Sequence, residues 1–176
     1  FVDEGGKYAV MVPELDGKGT QGTTWNGKAG SGTPMPIDRF FLARPERDTS
    51  ASINAALEAG KSLILTPGIY HLEGSIRVTR PGTVVLGLGF ATLVPDKGTP
   101  AMEIADVDGV TVGGIIFDAG PVASPVLVRV GEAGSRKSHA GDPTFLYDIT
   151  CRVGGASVGM AETLMTIESA NVVGDN

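Results

Sequence analysis

A single cysteine, Cys151, is present among 176 residues. That excludes an intrachain disulfide and a thiolate-rich zinc site. Set inside Ile149-Thr150-Cys151-Arg152-Val153, it reads as a small buried hydrophobe. Aromatic residues are scarce, at 6%. Positive charge is scarce too: the formal net charge is −6 and the pI about 4.8, with no basic stripe, which excludes a nucleic-acid surface. No apolar run reaches the roughly 18 residues of a membrane span. Also missing are an initiator Met, a signal peptide and a closing element before Asn176. The expectation from these is the N-terminal piece of a longer protein.

Helical periodicity is likewise absent from residues 62–118. What stands there is a run of short β-type segments, among them Ser62–Leu65, Ser75–Thr79, Thr83–Leu88, Met102–Ala105 and Val110–Phe117. Pro67-Gly68, Pro81-Gly82 and Asp106-Val107-Asp108-Gly109 cut them apart. The 26 glycines suit many tight turns. Within segments the pattern alternates. Ile76 and Val78 face one way and Arg77 the other; Val126, Val128 and Val130 point inward, with Leu127 and Arg129 outward.

Val84 to Val110 and Ile149 to Val172 are separations of 26 and 23 residues, each holding short strand segments. Val110 to Ile149 is 39, including a polar excursion at Gly131–Thr144; pairing Ile116–Asp118 with Cys151–Val153 gives 35 instead. Such a unit is one coil of a parallel β-helix. A sandwich is disfavoured, because Asn-Gly hairpin turns between strands are missing.

Residues 1–47 read as an irregular arm, with a strand near Lys7–Val12 and a Gly-rich loop at Gly17–Pro36. Residues 48–176 read as the β-helix, with about four coils, the last incomplete. One helix introduces it, at 50–59. Asp48, Thr49 and Ser50 offer N-caps, Gly60 a C-terminal stop, and Ile53, Ala56 and Leu57 one apolar face.

The stretch Ile53–Gly60 followed by Leu63–Tyr70, and then Thr83-Val84-Val85-Leu86-Gly87-Leu88-Gly89, resembles the start of pectate-lyase-like right-handed β-helices. More closely it is similar to actinobacterial secreted β-helix proteins related at a distance to glycoside hydrolase family 55, the exo-β-1,3-glucanases. The resemblance implies an all-β, single-stranded right-handed parallel β-helix with a short N-terminal capping helix. It also implies a secreted, extracellular, carbohydrate-active protein acting on or binding a polysaccharide, β-glucan foremost. In those glucanases the catalytic acid belongs to a later part of the fold, and its motif is not matched here.

Glycoside hydrolysis needs two carboxyls flanking one bond. Asp118, at the end of a strand, is the catalytic candidate, against a turn role. Asp106 and Asp108 read as turn caps. Trp25 is a candidate for stacking on a sugar, and Tyr147 a second; pinning its loop is the competing role for Trp25. Arg77, Arg129 and Arg152, outward on strand parity, are candidate ligand contacts, against a solvated face. Lyases of this fold use Ca²⁺, but no calcium-loop pattern is present, and no cofactor or metal site is expected. His71 reads as a surface neighbour of a core Tyr70, and His139 as a residue of the polar loop.

The leading expectation is part of a glycoside hydrolase-like enzyme, with a polysaccharide lyase second. The alternatives are a non-catalytic carbohydrate-binding module and a structural or adhesin segment. An open last coil leads to an expectation of end-to-end self-association.

Overall fold

The computed structural model describes residues 2, 5–13, 32–155 and 157–175. The chain divides into two compact units, residues 1–40 and 41–176. In the first, β1 (Ala9–Pro13) pairs antiparallel with β2 (Gly32–Pro36), and a 3-10 turn follows at Ile37–Arg39. The end of the expected Gly-rich loop is therefore a strand. Trp25 lies outside the described residues.

The second part is the expected right-handed parallel β-helix, an all-β solenoid of about five turns with one short helix. It runs β3 (Phe40–Ala43), α1 (Ser50–Glu58), β4 (Ser62–Leu65), β5 (Ile69–Leu72), β6 (Ile76–Val78), β7 (Val84–Pro95) and β8 (Met102–Ile104). It continues through β9 (Thr111–Asp118), β10 (Val128–Val130), β11 (Thr144–Arg152), β12 (Met165–Ile167) and β13 (Val172–Asp175). One sheet is ordered β12-β10-β8-β6, and the other β13-β11-β9-β7-β4-β3 with β5 also on β7.

Strand alternation creates the interior. Leu63, Val85, Val112 and Leu146 stack in register from turn to turn. So do Tyr70, Leu93, Phe117 and Cys151 on the next side. Ile76, Met102, Val128 and Met165 complete the lining on the other sheet. Small residues let the turns close. A Cβ on Gly87 would sit 2.3 Å from the carbonyl of Gly114, and one on Gly114 would sit 2.6 Å from that of Gly87. No side chain fits either place.

Helix α1 starts on a capping box between Thr49 and Ser52. It stops where Gly60, at φ 85°, and Lys61 donate to the carbonyls of Leu57 and Ala56. The helix sits inside the first turn, between β3 and β4. β3, ahead of residue 48, stands beside β4 at the end of the seven-stranded sheet. Asn54 closes the β6 edge: its Nδ2 donates to Ser75 O at 2.9 Å, and its Oδ1 accepts from Arg77 N at 2.8 Å. The side chain stands in for a neighbouring strand.

Two local expectations change. Leu127 is fully buried, not outward. It precedes β10, and its carbonyl accepts from Ala101 at the corner, so strand parity does not yet apply. The register near residue 150 also shifts: Cys151 pairs with Phe117 and Arg152 with Asp118, the latter pair 34 residues apart. The 131–144 insertion lengthens that turn, against 26 residues between Glu103 and Arg129.

Candidate functional site

The three-residue strands β6, β8 and β10 bury their end residues toward the core and turn the middle one outward, while in β12 Met165 and Thr166 are half-buried and Ile167 is exposed. Register then lines the middle residues into one row: Arg77, Glu103, Arg129 and Thr166. The charges alternate. Arg129 Nη1 lies 3.5 Å from Glu103 Oε1, while Arg77 reaches Glu58 of α1 at 3.6 Å. The Thr166 hydroxyl is buried with no hydrogen-bond partner among the described residues.

The row floors a groove. A cavity of about 600 Å³ is lined by Arg129, Glu132, Glu168, Thr166 and neighbouring small residues. A second, of about 270 Å³, adjoins it through Arg129, Gly131 and Glu132 and extends past Glu103 to Arg77 and Asp106. Arg77 and Arg129, two of the sequence candidates, therefore share one surface. The carboxylates that join them are Glu103, Glu132 and Glu168, of which Glu132 and Glu168 carried no sequence signal. Glu132 sits in a loop and Glu168 just past β12, where period-two parity says nothing about direction.

Asp118 and Arg152 lie on the other sheet. They pair with each other at 2.5 Å, and the hydrogen bond to Asp118 makes the guanidinium still more basic. His71 similarly pairs with Asp96, at 3.0 Å. Tyr147 stacks on Phe145, ring centroids 5.7 Å apart, and burial raises its hydroxyl pKa. Burial likewise pushes the Cys151 thiol up, away from the nucleophilic thiolate.

Beside the groove is a buried polar cluster that sequence reading reduced to turn caps and a loop histidine. Asp106, 4% exposed, does not cap its own turn. Its Oδ1 accepts from Ser169 Oγ at 2.6 Å and faces His139 Nε2 at 2.9 Å, and its Oδ2 accepts from the Ser135 hydroxyl. The other nitrogen of His139 lies 2.6 Å from Asp108 Oδ1. Lys137 Nζ donates to the Asp106 carbonyl at 3.0 Å, and Asn171 accepts from the His139 amide at 3.0 Å. The hydroxyl of Ser135, then that of Ser169, and then His139 hold the Asp106 carboxyl far below the usual carboxylate range. The bond to Asp108, then that to Asp106, raises the His139 pKa above its usual value. The partners come from segments 29 to 63 residues away in sequence, joined only by stacking of turns. Among the described residues no group of three His, Cys, Asp or Glu is arranged to hold a metal ion.

Residues 40–176 match the family described as the LAM55 pectate lyase-like domain. An exo-β-1,3-glucanase of Streptomyces sp. (strain SirexAA-E / ActE) is 42% identical over 173 residues, 98% of this chain and 28% of that protein. A variant of sacteLam55A from Streptomyces sp. SirexAA-E, refined as an ensemble in complex with glucose, superposes with a TM-score of 0.89 at 41% identity. That match covers 98% of this chain and 31% of the other. A second sacteLam55A structure gives 0.87 at 40% identity, covering 97% and 31%. The chain spans under a third of the length of these relatives.

Proposed function

The chain belongs to the LAM55 pectate lyase-like domain family, and from that premise we propose that it is a carbohydrate-active β-helix domain that holds a polysaccharide along the groove over β6, β8, β10 and β12. The observation that carries this reading is the in-register row Arg77–Glu103–Arg129–Thr166 beneath a cavity of about 600 Å³. Rungs of a parallel sheet repeat every roughly 4.8 Å. The row thus offers regularly spaced donors and acceptors to a chain of sugar hydroxyls. A β-1,3-glucan is the polysaccharide of choice, because the 42%-identical relative is named for acting on it.

Within this reading the protein is part of a glycoside hydrolase, and an extracellular one, since its polymer substrate lies outside the cell. Glu132 and Glu168 bring two carboxyl groups to one cavity, the residue type that glycoside hydrolysis requires. A non-catalytic binding module is the second reading. It is favoured by Glu103, whose charge Arg129 offsets at 3.5 Å.

The test is retention on insoluble β-1,3-glucan, with xylan and cellulose as controls, together with release of reducing sugar. Retention that falls about tenfold in Arg129→Ala supports the groove. Sugar release lost in Glu132→Gln or Glu168→Gln supports the hydrolase, and retention without release the binding module. Failure to retain any of the polymers rejects both. For location, the full-length native protein is expected in culture supernatant.

A further inference from the structure

His139 is 3% exposed and has a carboxylate oxygen at hydrogen-bond distance from each ring nitrogen. An ionised carboxylate only accepts. A neutral imidazole donates from one nitrogen and presents a lone pair at the other, which would then face an acceptor across less than 3 Å. Protonating Asp106 instead would spoil a carboxylate that already accepts from Ser135 and Ser169. With both carboxylates ionised, the arrangement is satisfied only when His139 is an imidazolium.

That ion joins three successive turns. Asp106 and Asp108 come from the corner after β8, His139 and Ser135 from the 131–144 loop, and Ser169 and Asn171 from the corner after β12. The same loop supplies Gly131, Glu132 and Ala133 to the groove. We propose that His139 is a proton-operated latch: protonated, its ring ties the 131–144 loop to both Asp106 and Asp108, and loss of one ring proton removes one of these ties and loosens the loop together with the Glu132 wall of the groove. The effect on polysaccharide rests on the function proposed above; the movement of the loop does not.

The charged groups around the ring set the direction of the switch. They are Asp106 and Asp108, and Lys137, whose Nζ is 3.9 Å from Asp106 Oδ2. Asp142 packs against Gly109, and Glu132 and Glu168 flank the bonded serines. Since the His139 pKa is raised above 6.5, its contribution is complete below 6.5 and is lost as pH rises through the folded value. Since the Asp106 pKa is lowered from 3.8, its contribution is present above 3.8 and is lost only in stronger acid. Both contributions are therefore complete between 3.8 and 6.5, and the latch opens on the alkaline side, as pH rises through the raised folded pKa of His139.

The experiment is ¹⁵N NMR of the imidazole together with amide exchange across pH. At about pH 6 both ring nitrogens of His139 should carry a proton. Above its pKa the amides of 131–144 should exchange about tenfold faster than those of β9, after correction for intrinsic base catalysis. Asp108→Asn, at an exposed carboxylate, should move that transition to lower pH, and His139→Gln should abolish it. A singly protonated ring at about pH 6, or loop exchange that follows β9 at every pH, overturns the latch. Loop release with unchanged retention of β-1,3-glucan supports the latch and rejects the groove assignment.

Discussion

Arg152 donates to Asp118 across one turn of the solenoid, 2.5 Å from Nη2 to Oδ2, and the two residues are partners in strand register. The pair neutralises the carboxylate that sequence position singles out as a catalytic candidate, and stands on a different sheet from the groove. Asp118→Asn is expected to leave polysaccharide retention and sugar release unchanged. A drop of about tenfold in either would return Asp118 to the chemistry. The pair is exposed on the arginine side, so raising the salt concentration should weaken it first.

Asn54 satisfies two backbone groups at the β6 edge that no strand reaches. Asn54→Ala leaves Ser75 O and Arg77 N without those partners, at a cost of about 2–3 kcal/mol. The expected readout is a lower urea midpoint with an unchanged m-value. A change under about 0.5 kcal/mol would mean that water takes over the edge.

Phe90 is 82% exposed and sits at φ 64°, next to Gly89 at φ 53°, in the bulge where β7 turns between Leu86 and Ala91. A left-handed backbone costs a bulky residue about 1–2 kcal/mol, and an exposed ring returns little through packing. Phe90→Gly is expected to raise stability by about 1 kcal/mol. A fall in melting temperature instead would show that the ring is held by contacts.

In the last turn Val158, Leu164 and Ile167 are exposed, and β12 and β13 are the outermost strands of their sheets. We propose that the 176-residue chain taken by itself associates through these exposed residues as concentration rises, seen as a rising mass in light scattering. Strictly monomeric behaviour with a cooperative melt would count against it.

Architecture was legible in the sequence because a β-helix is a local pattern repeated. Ile76-Arg77-Val78 and Val128-Arg129-Val130 announce their own strands and faces, and Thr49 and Gly60 mark the ends of α1. The same parity put Arg77 and Arg129 outward, and they meet in one groove. What was not legible depends on which turns stack on which. Asp106, His139 and Ser169 are far apart in sequence, and no spacing rule joins a corner to an inserted loop. Leu127 shows the limit in miniature: alternation fails one residue outside the strand that generates it. Glu132 and Glu168 were missed because loops carry no period.

The four-stranded sheet has a direction. Asn54 occupies backbone groups at its β6 edge, and β12 is the outermost strand at the other among the described residues. Of the two edges described for this sheet, the β6 one has its backbone groups taken by a side chain, and a single asparagine makes that difference.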